Sequence, residues 1–202
     1  ISVECFMSIK AESKAPEIEA FFDHDSNTVS YVVTDVAMKK AAIIDSVLDF
    51  DYASGTISYG HADTIIDYVT TRNLDVEWLI ETHVHADHLS AAPYIQQKLG
   101  GKIGISDRIS EVQMVFGKTF NAGTEFERDG SQFDHLFADG DRYKIGKLDG
   151  VAIATPGHTP ACMVHLIDDA MFVGDTLFMP DGGTARADFP GGDARTLYQS
   201  IK

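Results

Sequence analysis

The chain has 202 residues, is 44% hydrophobic and carries a formal net charge of −15 from 16 basic and 31 acidic side chains. That acid excess excludes nucleic acid as a general partner, because phosphate binding uses clustered Lys and Arg. It leaves room for a small anionic substrate at a local Arg. No apolar run approaches the roughly 20 residues that span a bilayer, and residues 1–14 lack the charged start, apolar stretch and cleavage site of a secretory signal. With only Cys5 and Cys162, and no Cys-x-x-Cys spacing, a reducing cytoplasm and no membrane partner are the expectation.

The length suits one core and one domain. Lys10 to Pro16 is polar, so residues 1–17 read as a flexible lead-in and residues 18–202 as the folded domain. Alternation in Val29-Ser30-Tyr31-Val32-Val33 predicts a strand, with Ala41 to Ile44 as its hairpin neighbour across Met38-Lys39-Lys40. His61 to Arg72 has helical spacing, with Ile65, Ile66 and Val69 on one side. Val76 to Ile80 is a buried strand, and Leu89, Ala92, Ile95 and Leu99 mark one face of a helix that Gly100-Gly101 ends. Lys102 to Ile105 is the next strand; Ile109, Val112 and Phe116 mark a further helix; Asn121 to Asp134 is a loop. Strands follow near Arg142–Ile145, Val151–Ala154, Met163–Ile167 and Met171–Val173, and a last helix starts near Asp193. Hairpins followed by alternating strands and helices imply an α/β or α+β layered domain.

Three stretches carry chemistry. Thr82-His83-Val84-His85-Ala86-Asp87-His88 follows the strand Val76–Ile80. Buried imidazoles and carboxylates need partners or metal, and a His/Asp cluster at a strand end reads as a metal site. His83 and His85 are two apart, so an extended backbone points them to the same side. Pro156-Gly157-His158-Thr159-Pro160 places a His on a constrained loop after a strand, and Phe172-Val173-Gly174-Asp175-Thr176 ends a strand in a carboxylate. Taken singly, Asp87 or Asp175 reads as a helix cap and each His as a surface residue. His24, His61 and His135 lack clustered partners and are expected at the surface, while His165, Cys162, Trp78 and Phe172 are expected in the core.

Together these motifs resemble the metallo-β-lactamase superfamily. Glu81 to Ser90, Thr155 to Cys162, Gly174 to Phe178 and Arg186 to Pro190 resemble its bacterial persulfide dioxygenase, or β-lactamase hydrolase-like, group. The resemblance implies an αββα sandwich with one non-haem Fe(II) held by His83, His158 and Asp175. His85, Asp87 and His88 would lie close by without binding iron. It implies a reaction on a small thiol-derived substrate, glutathione persulfide, with O2, giving sulfite and glutathione. The alternative within the superfamily is a glyoxalase II-like thioesterase with one or two zinc ions. There His83, His85 and His158 would hold one metal, and Asp87, His88 and Asp175 the other. A metal-stabilised binding domain is a third reading, disfavoured because structural metal sites are usually closed by four protein ligands. Arg186, near the expected metal mouth, is a candidate for a substrate carboxylate or for an ion pair. Relatives often dimerise, which leaves a homodimer open, and the sequence itself does not fix the oligomeric state. They continue through a strand bearing His-Asp-Tyr, so the C-terminal part of the fold is expected to lie beyond Lys202.

Overall fold

The computed structural model describes residues 15–202. Strands β1 (Glu17–Phe22), β2 (Val29–Asp35), β3 (Lys40–Ile44), β6 (Asp75–Ile80), β8 (Lys102–Ser106) and β9 (His135–Phe137) form one sheet in the order β1-β2-β3-β6-β8-β9. Strands β10 (Arg142–Ile145), β11 (Leu148–Ala154), β12 (Met163–Ile167) and β13 (Ala170–Phe172) form a second, fully antiparallel sheet. A small third sheet joins β4 (Val47–Asp51), β5 (Thr56–Ser58) and β7 (Leu89–Ser90). In the first sheet β1, β2 and β3 are antiparallel neighbours, whereas β3, β6, β8 and β9 run parallel and need crossover connections. Helices α1 (Gly60–Thr71) and α2 (Ala92–Leu99) supply two of those crossovers, and α3 (Ile109–Thr119) the third.

The period-two alternation of the central strands sorts their side chains between two cores. Val32, Ala41, Ile43 and Leu79 pack against Ala62, Ile65 and Val69 of α1 and Ile95 of α2. Val33, Ala42, Ile44 and Ile80 face the second sheet and meet Ile145, Leu148, Met163 and Ile167. Each such aliphatic side chain, fully buried, contributes about 1.5–3 kcal/mol against leaving it in water. The two sheets therefore stack face to face with helices outside the first. Helix α4 (Ala194–Ile201), capped by Asp193, lies against the loop after β11, where Ser200 Oγ donates to Pro156 O at 2.7 Å. Among the described residues no helix is long and apolar enough to cross a membrane.

Several elements differ from expectation. Strand β1 begins at Glu17, inside the segment read as lead-in, while residues 1–14, with Cys5, lie outside the described residues. Leu89 is not on the helix: it pairs with Leu48 in β7, and α2 starts only at Ala92. The reason is Ser90, whose Oγ accepts from Ala92 N and so turns the chain there. The β4–β5 hairpin and β9 have no clear sequence signal, being short or exposed. His135 is half-buried edge-on to Trp78, and His61 is half-buried with Nε2 3.3 Å from Ser30 Oγ; neither is a free surface residue. His24 is exposed, and His165, Cys162 and Phe172 are buried in the core.

Candidate metal centre

The parallel strands β3 and β6, and β11 and β13 of the second sheet, all end at the same edge of the sandwich. Each delivers a polar group there: Asp45 after β3, Glu81 to His88 after β6, His158 after β11 and Asp175 in the single 3-10 turn after β13. Gly174 makes that last approach feasible. It adopts φ +48°, and a Cβ there would stand 2.4 Å from Thr82 Oγ1. Gly157 does the same for the His158 loop, since a Cβ would strike the Leu197 backbone of α4.

His83, His158 and Asp175 converge. Their ligand atoms all lie within 4.8 Å of one another. His83 Nε2 is 3.7 Å and His158 Nε2 3.5 Å from Asp175 Oδ2. The opposite nitrogen of each ring is tied down: His83 Nδ1 lies 3.0 Å from Thr82 Oγ1, and His158 Nδ1 donates to the Arg186 carbonyl at 2.7 Å. Such anchoring fixes tautomer and ring plane, as supports of metal-bound imidazoles do. His83 Nε2 is buried and has no hydrogen-bond partner. Burial, aided by the neighbouring His85 charge, holds its pKa well below the usual imidazole value, so the ring is neutral. Burial also raises the Asp175 carboxyl, against the pull of His158. An orphaned neutral imidazole nitrogen, a second imidazole and a carboxylate facing one point fit a divalent cation.

His85, Asp87 and His88 form a second group within the same 4.8 Å limit, but each already has other ties. His85 Nε2 donates to Asp45 Oδ1 at 3.1 Å, with Glu81 Oε2 at 3.2 Å adding charge without a hydrogen bond of its own. Burial works against a charged His85, yet the Asp45 and Glu81 carboxylates overcome it and raise its pKa well above the usual value. Burial likewise opposes ionisation of Asp45; His85 and the Thr82 N–H outweigh it and push that carboxyl far down. Asp87 Oδ2 accepts from Thr28 Oγ1, and His88 Nδ1 faces Leu89 O at 3.0 Å, leaving its buried Nε2 without a partner. The His85 ring sits 4.2 Å from both His83 and His88.

Asp45, Glu81 and Ser90, which donates to Glu81 Oε1 at 2.5 Å, were not singled out from the sequence. The signal for Asp45 was there: an apolar strand, Ala41 to Ile44, running into a carboxylate, just as Phe172-Val173 runs into Asp175.

The mouth is a cleft of about 390 Å³ lined by Asp87, His158, Asp175, Phe178, Arg186 and Phe189 among others. Arg186 does not reach Asp175. It forks onto Asp188 (Nε–Oδ1 2.6 Å, Nη2–Oδ2 2.8 Å) and lies over the Phe189 ring at 4.9 Å. Its backbone, however, holds His158.

A layered sandwich with a His/His/Asp centre at its shared strand-end edge defines a class of metal-dependent enzymes. The chain belongs to the metallo-beta-lactamase superfamily, whose profile matches residues 25–202. It is 53% identical over 195 residues to the "Probable metallo-hydrolase" of Burkholderia pseudomallei (92% of this chain, 66% of that protein). It is 48% identical over 193 residues to the "Beta-lactamase hydrolase-like protein" of Agrobacterium fabrum (96% and 44%). To "Glyoxylase B2" of Dictyostelium discoideum it is 46% identical (94% and 66%), and to human "Persulfide dioxygenase ETHE1, mitochondrial" 28% (96% and 65%). The crystal structure of ETHE1 from Myxococcus xanthus matches with a TM-score of 0.70 at 27% identity, covering 92% of this chain and 68% of that one. The chain thus spans 44% to 66% of the length of these curated relatives. Superfamily members are hydrolases or dioxygenases, and the His/Asp cluster supports a metal cofactor here.

Proposed function

We propose that this chain carries the centre of an iron-dependent persulfide dioxygenase, acting on glutathione persulfide or a close thiol relative. The observation that carries the reading is the asymmetry of the polar cluster. One imidazole–imidazole–carboxylate face is left without competing partners, while His85 spends its Nε2 on Asp45 and Asp87 its Oδ2 on Thr28. Two histidines and one carboxylate on one face leave positions for both oxygen and substrate on an iron ion. His83, His158 and Asp175 would hold that ion, and when bound it would supply the open positions at which persulfide and O2 meet. The overall change is RSSH + O2 + H2O to RSH + sulfite + 2 H⁺. Oxygen oxidises the outer sulfur, and the S–S bond breaks to release the thiol.

The chain's own side chains bind and orient. Thr82 Oγ1 and the Arg186 carbonyl fix the two imidazoles. Arg186 stands at the mouth to take a substrate carboxylate in exchange for Asp188, and Phe178 and Phe189 give the mouth apolar walls. The ETHE1 name of the 28% identical human relative supports this reading. Oxygen uptake decides it. Full-length protein reconstituted anaerobically with Fe(II) should bind about one iron per chain and consume O2 only when persulfide is added. A protein that binds iron yet consumes none with any thiol persulfide overturns the reading.

A second reading is a zinc thioesterase of the glyoxalase II type. The grouping of His85, Asp87 and His88 within one ligand span favours it, as do the names of the relatives at 46% and 53% identity. It calls for release of glutathione from S-lactoylglutathione without oxygen.

A further inference from the structure

Strand β12 lies between β11 and β13 in the second sheet, so no strand ladder joins the two ends that deliver His158 and Asp175. Two other bridges span them. At the mouth, Ala185 N donates to Asp175 O at 3.4 Å, and the neighbouring Arg186 carbonyl accepts from His158 Nδ1 at 2.7 Å. Arg186 is exposed, and the bond to Asp175 is long. The second bridge is buried. Thr155 Oγ1 and Thr176 Oγ1 meet at 2.8 Å, and the two residues are only 5% and 4% exposed.

Each threonine is also fastened to its own turn. Thr155 N donates to Cys162 O at 2.9 Å and closes the loop that carries His158. Thr176 N donates to Val173 O at 3.1 Å and closes the 3-10 turn that carries Asp175. Through the two hydroxyls, a shift of either turn is passed to the other.

The hydroxyl contact also sets a distance that apolar side chains do not reach. Two methyl groups in the same places would stop at about 3.5–4.0 Å. The oxygens therefore hold the turns closer by roughly 1 Å. Functional constellations keep their geometry to about 0.5 Å. A change of that size would disturb the 3.5 Å approach of His158 Nε2 to Asp175 Oδ2.

We propose that the Thr155–Thr176 hydroxyl pair is a clasp that positions His158 and Asp175 for the cation. Both threonines are positioning residues, acting through the turns they fasten. The clasp rests on the metal-holding part of the reading above and not on the reaction that follows.

Co(II), titrated into the metal-free full-length protein and followed by its visible d–d absorption, reports affinity and ligand geometry together. Thr155→Ala and Thr176→Ala should each weaken Co(II) about tenfold and alter its spectrum. Either change opens the same clasp, so the double alanine variant should bind no more than about threefold weaker than the weaker single. Thr155→Ser and Thr176→Ser keep the hydroxyls and should stay within about threefold of the parent. Additive losses, about 100-fold in the double variant, would reveal two independent packing sites and overturn the proposal. Parent-like binding in both single alanine variants would overturn it too. If an alanine chain does not fold, Thr155→Ser/Thr176→Ser decides: a loss of about tenfold there would make the methyls responsible and sink the clasp. His158→Ala is the reference. Weak binding there beside parent-like alanine variants removes the clasp and leaves the triad standing, whereas tight binding by His158→Ala removes both. Oxygen uptake enters none of these outcomes, so failure of the dioxygenase reading is seen separately.

Discussion

The two halves of the His/Asp cluster each hold two histidines and one aspartate and differ in what their atoms already do. His83, His158 and Asp175 come from three strand ends, and the imidazole edges away from the center are anchored while the edges toward it are unclaimed. His85, Asp87 and His88 come from one loop; Asp45 and Glu81 hold the His85 Nε2 edge and Thr28 one Asp87 oxygen, while His88, anchored through Nδ1 at the Leu89 carbonyl, is the one member of that half with an idle Nε2. Ligand capacity therefore depends less on residue type than on which nitrogen or oxygen the surroundings have left idle.

The largest test of that contrast is His158→Ala. It should drop the bound metal from about one per chain to under a tenth, read by metal analysis after dialysis; near-normal content would show that the triad is not the holder. Next, acid should act on the core rather than on the centre alone. Burial depresses the His165 pKa to about 4 from the ordinary imidazole value of 6.5, with Tyr143 Oη 3.0 Å from its Nδ1. A depressed imidazole pKa means the unfolded chain binds the extra proton first. Stability is complete above about pH 6.5 and falls by roughly 3 kcal/mol as pH drops to about 4. In the metal-free protein His165→Gln should flatten that slope in urea titrations at pH 7, 5.5 and 4.5; an unchanged slope would mean other groups carry it.

Gly174→Ala comes third. The added methyl meets Thr82 Oγ1 at 2.4 Å from a φ of +48°, and a cost of about 2–3 kcal/mol in denaturation free energy is expected. A shift under about 0.5 kcal/mol, within the ordinary range for surface changes, would show that the turn relaxes freely. The smallest effect on metal should come from His85→Ala. Content should stay above half, while turnover falls about 10–100-fold through lost support. Metal loss equal to that of His158→Ala would erase the difference between the halves and favour the hydrolase arrangement.

Much of the first half was legible in the sequence because its residues are dense or sit at strand ends: His-x-His-x-Asp-His after Val76–Ile80, Gly-His-Thr after β11, Gly-Asp-Thr after β13. The second half's ties were not. Thr28 lies 59 positions from Asp87 and Asp45 lies 40 from His85, so only the folded sheet order brings them together. The β4–β5 hairpin escaped for another reason. Thr56, Ile57 and Ser58 are all exposed, so no apolar periodicity marks them. Leu89 was misplaced because an apolar residue at helical spacing cannot announce that Ser90 will stop the helix short of it.

The gathering of His83 from the first sheet and His158 and Asp175 from the second has a thermodynamic corollary. The three candidate ligands exist as a set only once the two halves of the sandwich have docked, so the unfolded chain offers no comparable site. Occupancy is then coupled to cohesion between the sheets: an ion present at about a hundred times its dissociation constant adds roughly 2.7 kcal/mol against unfolding. Chelation should loosen the whole sandwich and not merely silence its edge.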